Sequence, residues 1–409
     1  MKAFLSPSST EAEEVSITVT GSKSESNRLL ILQALYPNII IKNISNSDDS
    51  KFLKNGIVNS EGVVDVHHAG TAMRFLTAYF ASQIGTEVVL TGSERMQERP
   101  IGILVDALRQ LGADIQYTNK EGYPPLKIKG NVLGKSSVAI QANVSSQYIS
   151  ALLLIAPGLP NGLTIDLIGE LTSLPYINMT LSLLENVGVS TLFSENRIQI
   201  PRVISVKDTI ITIESDWSSA SYFYSVAALS NKSITLGYYH QESLQGDTAL
   251  ASLYRQLGVV TTFNKEKETI TLRKEIDSLK EHVFLDLVDT PDIAQTIVVT
   301  CLGLEMGCTL TGLHTLKIKE TDRLVALKTE LSKLGASVTI THDTLVLNPS
   351  ILGKERIAID TYNDHRMAMA FAPLGTQIPI TINNCEVVSK SFPSFWEDMQ
   401  KVGIETLLK

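Results

Sequence analysis

A six-fold internal repeat constrains the fold of this 409-residue chain more than any other feature of its sequence. In each copy an amphipathic helix pattern ends at a glycine, and β-prone residues follow directly. Glycine adopts the left-handed backbone conformation without steric cost, so it can close a helix and release the chain into a strand. The six predicted helix ends are Gly56, Gly112, Gly188, Gly258, Gly335 and Gly403.

Each repeat also contains a second helix pattern, in which apolar and small residues occur on nearly all sides. Such a helix is expected to be buried inside a domain. Six units, each with one buried and one surface helix packed on short strands, exceed a single core, so two domains of three units are expected. The buried helix patterns are 24–35, 71–82, 146–156, 218–229, 291–303 and 364–374, and strand patterns occur at 87–91, 163–167, 210–213, 269–272, 345–347 and 378–382.

The composition is that of an ordinary globular protein, with 44% hydrophobic and 19% charged residues. A formal net charge of −8 gives no overall basic field, which disfavours nucleic acid as a partner. An anionic ligand must therefore be held by a local concentration of Lys and Arg. No apolar run is long enough to span a bilayer, and three cysteines without a CxxC pair indicate no disulfide framework. We expect a soluble protein of the reducing cytoplasm, without a membrane partner.

Positive charges occur where helix N-termini should disfavour them, because the helix dipole is positive at that end. Lys319 and Arg323 are four residues apart, which predicts two like charges on one helix face. An anion bound in front of these helices would resolve the conflict, since its charge would face N–H groups, dipoles and cations together. Taken singly, each is most simply a solvated cation, but together they predict an anion site. The other cations of this group are Lys23, Arg28, Arg74 and Arg366.

Several common motifs are missing from the sequence. It has no Walker lysine loop, no GxGxxG after a strand and no GxSxG nucleophile elbow. Asp65, His67 and His68 lack further ligands at suitable spacing, so they are interpreted as loop residues and not as a metal site.

Ten sequence blocks occur in order along the chain, and together they resemble the 5-enolpyruvylshikimate-3-phosphate synthase family over essentially the full length. The blocks are GSKSESNR (21–28), AGTAMR (69–74), RMQERPI (95–101), VSSQY (144–148), SLPYI (173–177), SSASYF (218–223), PD (291–292), KETDRL (319–324), TYNDHRMAM (361–369) and KSFP (390–393).

The resemblance implies a mixed α/β (α+β) fold, a two-domain inverse α/β barrel built from six βαβαββ units, three in each domain. It implies an active site in the interdomain cleft and a chain that crosses between the domains twice. One domain would comprise residues 21–213, and the second would comprise residues 1–20 and 214–409.

The resemblance also implies an enzyme, a transferase of the shikimate pathway of aromatic amino acid biosynthesis. It would transfer the enolpyruvyl group of phosphoenolpyruvate to the 5-hydroxyl of shikimate 3-phosphate through a tetrahedral intermediate, releasing phosphate. Neither a metal ion nor an organic cofactor is implied. We expect a monomer that binds these two small molecules, and glyphosate should compete with phosphoenolpyruvate beside Gly70.

Site residues follow from the resemblance, position by position. Asp292 is expected to be the base near the 5-hydroxyl, Glu320 the acid–base group at C3, and Lys23 a bridge between both substrates. Shikimate 3-phosphate would be bound by Lys23, Ser24, Arg28, Ser145, Ser146, Gln147, Ser173, Tyr176, Asp292, Thr315 and Lys319. Phosphoenolpyruvate would be bound by Lys23, Gly70, Arg99, Gln147, Arg323, Arg366 and Lys390.

The chain departs from the usual family pattern without losing a charge at Lys23, Asp292, Glu320 or Arg323. Thr315 replaces a frequent Asn that contacts substrate, which bears on shikimate 3-phosphate binding. The other departures are His68 for Asn, Phe75 for Pro, Leu174 for Lys, Trp217 for a small residue and Lys317 for Arg.

Two alternative functions remain open from the sequence. The sister family that transfers enolpyruvyl to UDP-N-acetylglucosamine usually has a Cys in the mobile loop, and residues 92–100 contain none. A non-catalytic anion-binding relative is the other alternative, although it would gain nothing from burying Asp292 and Glu320.

Overall fold

The computed structural model describes residues 1–8, 13–142, 145–169, 171, 173–275 and 279–409, so Val144 of the VSSQY block lies outside the described residues. These residues form the α-helices α1 Lys23–Leu35, α2 Asp48–Val58, α3 Gly70–Ser82, α4 Glu94–Gln97, α5 Gly102–Leu111, α6 Ser146–Ile155, α7 Leu174–Asn186, α8 Trp217–Leu229, α9 Leu250–Arg255, α10 Ala294–Gly303, α11 Arg323–Lys333, α12 His365–Phe371 and α13 Phe395–Lys401. No helix within these ranges has both the length and the apolar character needed to cross a membrane.

The strands are short and alternate with the helices. They are β1 Lys2–Pro7, β2 Glu14–Thr18, β3 Ile39–Lys42, β4 Gly62–Asp65, β5 Glu87–Thr91, β6 Asp114–Tyr117, β7 Leu126–Lys129, β8 Ser137–Gln141, β9 Leu163–Ile168, β10 Leu192–Ser194, β11 Arg197–Ile200, β12 Thr209–Thr212, β13 Ser233–Gly237, β14 Val259–Asn264, β15 Thr269–Lys274, β16 His282–Asp286, β17 Gly307–Thr311, β18 Val338–Ile340, β19 Leu345–Leu347, β20 Ile357–Ile359, β21 Ile380–Asn383 and β22 Ile404–Leu408. This content confirms the expected mixed α/β class.

The chain packs into two compact units, which we call the central unit (residues 21–213) and the split unit (residues 1–20 and 214–409). The central unit contains two four-stranded sheets, of order β4-β5-β7-β6 and β10-β11-β9-β8. In both, a parallel pair is extended by an antiparallel hairpin. Its third sheet consists, within the described residues, of the parallel pair β12–β3 alone.

The split unit contains three four-stranded sheets of the same design, of order β14-β15-β13-β2, β16-β17-β19-β18 and β20-β21-β1-β22. The N-terminal strand β1 lies between the two C-terminal strands β21 and β22 and is antiparallel to both. Strand β2 pairs in parallel with β13. These pairings tie residues 1–20 to the C-terminal part of the chain. One apolar core cluster fills the unit.

Glycines end the surface helices of five repeats, as predicted. Gly112, Gly188, Gly258, Gly335 and Gly403 all have φ between 85° and 109°. The prediction for Gly56 was wrong, because α2 continues to Val58. A Cβ atom at Gly56 would lie 2.5 Å from Leu76 Cδ1, so glycine is needed there for close packing against α3.

The six buried helix patterns are confirmed, with ends displaced by a few residues. Helices α3, α8 and α10 bury almost every residue they contain. Polar side chains define several starts, since Ser22, Asp216 and Asp364 accept hydrogen bonds from backbone N–H groups of the first turn of α1, α8 and α12. The helices therefore begin at defined residues, which fixes the direction of the side chains in their first turns.

Candidate active site

In the central unit, the N-terminal halves of α1, α6 and α7 meet at one buried arginine. Arg28 donates to Thr180 Oγ1 (2.7 Å), Ser150 Oγ (3.1 Å) and the Tyr176 carbonyl (3.3 Å). It also donates to the Ser24 carbonyl (2.8 Å). Burial lowers the pKa of Arg28 to about 10, so it stays charged at neutral pH. One fixed guanidinium thereby joins the N-terminal halves of three helices.

The start of α3 joins the same region through α6. Gln147 Nε2 donates to Thr71 Oγ1 over 3.5 Å, and the Ser145 hydroxyl caps α6 by accepting the Gln147 N–H. A Cβ atom at Gly70 would lie 2.6 Å from Arg99 Nη1, so the Arg99 guanidinium lies against the first residue of α3. The structure thus brings together Gly70, Arg99 and Gln147, three of the residues predicted to bind phosphoenolpyruvate.

The remaining predicted residues of the central unit also occupy helix starts. Lys23 is the first residue of α1 and half-buried, and its ammonium makes no ion pair with the described residues. Ser146 is the first residue of α6 and is buried. Ser173 precedes α7 with a left-handed φ of 57°, and Tyr176 is in the first turn of that helix. Hydroxyl and ammonium groups at such positions suit a phosphate or carboxylate.

Arg323, the first residue of α11, is the centre of an ion-pair network in the split unit. Its guanidinium contacts Asp364 (2.7 Å), Glu320 (2.9 Å) and Asp292 (3.0 Å), and its side chain is 2% exposed. Burial alone would lower the pKa of Arg323, but the three carboxylates outweigh it and the net effect raises the pKa. Arg323 is a permanent cation here, held by three acids.

Asp292, just before α10, is surrounded by positive charge. Its carboxylate contacts Arg323, Arg366 Nη2 (3.0 Å) and Lys319 Nζ (3.5 Å), and its carbonyl accepts from Arg366 Nη1 (3.0 Å). These cations stabilise the negative charge of the side chain. Burial lowers the pKa of Lys319, and Asp292 partly offsets this. The Asp292 carboxylate is therefore held in place by three cations.

Glu320 is a further acid of the network, and its side chain is 14% exposed. One of its oxygens accepts from Arg323 and the other from Lys390, whose side chain is buried. Thr315 lies nearby in sequence and is buried, and its hydroxyl forms no hydrogen bond with the described residues. The structure therefore brings together Asp292, Glu320 and four cations that were predicted as substrate ligands, namely Lys319, Arg323, Arg366 and Lys390.

The prediction that Lys319 and Arg323 share one helix face was wrong. Helix α11 begins at Arg323, with Asp322 as its N-cap, so Lys319 is outside the helix. The expectation that an anion binds in front of these helices stays a prediction, and Arg323 and Arg366 already contact carboxylates of the chain. Arg74 is likewise committed, since it donates to the carbonyls of Gly70 and Pro100.

Sequence reasoning missed three side chains of this network. Asp364 lies in the TYNDHRMAM block, and its position before a helix was the available signal. Ser218 Oγ donates to the buried Asp247 carboxylate and lies 3.5 Å from Arg366 Nη2. Burial raises the pKa of Asp247 to about 6. Nothing in the spacing of the sequence pointed to Asp247.

The His67–His68 pair lies beside the start of α3. The two Nδ1 atoms are 2.7 Å apart, so they share one hydrogen bond, and the His67 ring stacks on Phe52. No cluster of three or more His, Cys, Asp or Glu suited to a metal ion occurs within the described ranges.

Comparison with known proteins identifies the family. The model of the EPSP synthase (3-phosphoshikimate 1-carboxyvinyltransferase) family matches residues 43–399. The 3-phosphoshikimate 1-carboxyvinyltransferase of Bacteroides fragilis (strain YCH46) is 46% identical over 401 residues, which is 95% of each chain. The one from Sulfurovum sp. (strain NBC37-1) is 36% identical over 95% of this chain and 97% of its own. A solved structure of EPSP synthase from Acinetobacter baumannii, 21% identical, covers both chains completely with a TM-score of 0.78.

Proposed function

Because the chain belongs to the EPSP synthase (3-phosphoshikimate 1-carboxyvinyltransferase) family, we propose that the two clusters of side chains described above carry out its reaction. The enzyme transfers the enolpyruvyl group of phosphoenolpyruvate to shikimate 3-phosphate in aromatic amino acid biosynthesis. The central and split units would be the two domains of the inverse α/β barrel. The single observation that carries the assignment of residues is the ion-pair network around Arg323, which holds two acids among four cations.

The central unit supplies most of the shikimate 3-phosphate ligands in this proposal. Converging helix N-termini favour negative charge, and hydroxyls at those ends donate hydrogen bonds to phosphate oxygens. Lys23 bridges both substrates, and Gly70, Arg99 and Gln147 bind phosphoenolpyruvate. The shikimate 3-phosphate ligands are Lys23, Ser24, Arg28, Ser145, Ser146, Gln147, Ser173 and Tyr176, with Asp292, Thr315 and Lys319 from the split unit.

The split unit supplies the acid–base chemistry. Asp292 takes the proton of the 5-hydroxyl while that oxygen attacks C2 of phosphoenolpyruvate, and Glu320 gives a proton to C3. The tetrahedral intermediate then loses phosphate while Glu320 takes the C3 proton back. Lys23 stabilises the negative charge on the departing phosphate.

Glu320 must be protonated before it can donate, although Arg323 and Lys390 favour its ionised form. We propose that the carboxylate of phosphoenolpyruvate contacts Arg323, Arg366 and Lys390 on binding. It then competes with Glu320 for positive charge, which raises the proton affinity of Glu320. Substrate binding would in this way prepare the acid.

Phosphate release from phosphoenolpyruvate plus shikimate 3-phosphate tests this proposal. We expect turnover by the wild-type enzyme and a loss of about a hundredfold or more in kcat for Asp292→Asn and Glu320→Gln, the usual scale of general acid–base catalysis. Glu397→Gln, which changes an exposed acid of α13, is the control and should keep wild-type kcat. UDP-N-acetylglucosamine in place of shikimate 3-phosphate should give no phosphate. Unchanged kcat in both site variants would reject the assignment.

We further propose a cytoplasmic monomer that needs no cofactor and is inhibited by glyphosate in competition with phosphoenolpyruvate. All three cysteines are buried as thiols, which suits a reducing compartment. Light scattering should give the mass of one chain in solution. Inhibition by glyphosate should weaken as the phosphoenolpyruvate concentration rises.

A further inference from the structure

Two consecutive residues with left-handed backbone directly precede Asp364, the N-cap residue of helix α12. Tyr362 has φ 54° and Asn363 has φ 55°. Residues other than glycine disfavour this conformation. Two such residues in succession persist only where neighbouring groups hold them. The next residue is Asp364, which contacts Arg323 and caps α12, and Arg366 follows in the first turn. The direction of this short segment therefore decides where two charged groups of the proposed site lie.

Helix α11 holds this segment at two points. At its first residue, Arg323 Nε donates to Asp364 Oδ2 over 2.7 Å. Seven residues later, Glu330 accepts from the Tyr362 hydroxyl over 2.6 Å and from the Asp360 N–H over 3.1 Å. Seven residues are about two helical turns, so both contacts lie on one face of α11.

Glu330 is fully buried and has no role in the proposed reaction. Besides its contacts to the segment, its carboxylate pairs with Lys333 over 2.7 Å. Lys333 in turn contacts Asp360 over 2.9 Å. Burial, with the hydrogen bond to Glu330, raises the pKa of Tyr362 to about 12, so its hydroxyl remains a proton donor at neutral pH.

We infer that Glu330 is a positioning residue for the active site. Its carboxylate holds the Tyr362–Asn363 backbone in the left-handed conformation, and this conformation places Asp364 against Arg323 and Arg366 against Asp292. The inference rests on the proposed function, in which Arg366 binds phosphoenolpyruvate. Without Glu330, the segment relaxes toward ordinary φ values and Arg366 loses its position.

Kinetics of Glu330→Gln and Tyr362→Phe test the inference. Both variants should raise the KM for phosphoenolpyruvate about tenfold, equal to ~1.4 kcal/mol of lost binding. Tyr362→Phe removes a single hydrogen bond, so it keeps the experiment interpretable if Glu330→Gln folds poorly.

A second acid provides a matched control. Asp398 is also buried in the split unit and pairs with a lysine three residues later, Lys401, over 2.7 Å, but it does not touch the segment. Asp398→Asn should lower the melting temperature by about as much as Glu330→Gln does. It should leave the KM for phosphoenolpyruvate unchanged.

The substitution Asn363→Gly should rescue phosphoenolpyruvate binding, because glycine adopts φ 55° without steric cost. Asn363→Gly combined with Glu330→Gln should return the KM for phosphoenolpyruvate toward the wild-type value. A lowered melting temperature with unchanged KM in Glu330→Gln and Tyr362→Phe would overturn the inference, as would a failure of the rescue. If Arg366→Lys raises the KM for phosphoenolpyruvate while those two variants do not, the positioning role of Glu330 is excluded and the proposed function stands. An unchanged KM in Arg366→Lys would overturn both.

Discussion

Two buried arginines show how the atoms around a guanidinium decide its use. Arg28 is surrounded by hydroxyl and carbonyl oxygens, so burial dominates and lowers its pKa. Arg323 is surrounded by three carboxylates, which raise its pKa instead. Arg28 joins the N-terminal halves of three helices through hydroxyl and carbonyl oxygens, whereas Arg323 holds two proposed catalytic acids in place through ion pairs. The residue type is the same, but neutral oxygens surround it in one unit and carboxylates surround it in the other.

Gly70→Ala should weaken phosphoenolpyruvate binding. The new Cβ would come within 2.6 Å of Arg99 Nη1, so the Arg99 guanidinium must move away from the start of α3. We expect a KM for phosphoenolpyruvate raised about tenfold, a smaller change in kcat and reduced inhibition by glyphosate, measured by phosphate release. An unaltered KM would contradict the placement of both residues in the substrate site.

Asp247→Asn should stabilise the fold at neutral pH. Burial raises the folded-state pKa of Asp247 from 3.8 to about 6. Well below pH 3.8 the carboxyl is neutral in both states. As pH rises from about 4 to 6 the unfolded chain ionises first, so stability is lost, and the full cost of about 3 kcal/mol remains well above pH 6. The asparagine variant avoids that cost, so its free energy of unfolding should exceed that of the wild type at pH 7.5, and the difference should shrink as pH falls toward 4.

Urea unfolding at a series of pH values between 4 and 7.5 measures this difference. Asp343→Asn is the control of opposite sign, because hydrogen bonds from Thr344 and Thr341 lower the pKa of the exposed Asp343. That variant should be no more stable than the wild type at pH 7.5. A gap between Asp247→Asn and wild type that stays constant with pH would show that Asp247 is not titrating in this range.

At the scale of elements, the backbone angle at one glycine separates a helix end from a helix interior. Five of the six predicted helix ends have positive φ and lead into a strand. Gly56 occurs in a similar local sequence, yet it lies inside α2 because it packs against Leu76. The helix ends were therefore predictable from the local sequence at these five glycines. Packing between α2 and α3 is a tertiary contact that the local pattern does not contain.

Gly188→Ala measures the cost of the positive φ. Gly188 has φ 90°, and no atom lies within 4 Å of a Cβ placed there, so the substitution tests backbone strain alone. We expect a loss of about 1–2 kcal/mol in the free energy of unfolding. Gly134→Ala is the matched control, because it also has open space around the Cβ but no positive φ. It should be neutral or slightly stabilising, and equal effects in both variants would refute the argument.

The elements that carry the site were more predictable than the contacts between them. The cations at helix starts, and the acids Asp292 and Glu320, were found from sequence blocks because each block is local. The ion pairs join residues as far apart as Asp292 and Arg366, which only the fold brings together. The hydrogen bond between Glu330 and Tyr362 could not be predicted either, because the two residues are 32 positions apart and share no local sequence pattern.

At the scale of the whole molecule, both ends of the chain belong to one sheet. β1 pairs with β21 and β22, so residues 2–7 are held by strands that lie more than 370 positions later in the chain. The six-fold repeat predicted the number of units, but it gave no reason to join residues 1–20 to the C-terminal half. Only the family resemblance indicated that grouping, because the pairing partners are separated by almost the full length of the chain.

The two-stranded sheet of the central unit shows which part of a repeat is dispensable. Only residues 59–61 separate α2 from β4, so the first repeat manages without the hairpin that extends the other sheets. Its helix α1 still presents Lys23, Ser24 and Arg28 at its start. The first repeat therefore keeps its helix start without a hairpin on its strand side. In a protein engineered from this scaffold, the short α2–β4 connection is the natural place to graft a foreign loop.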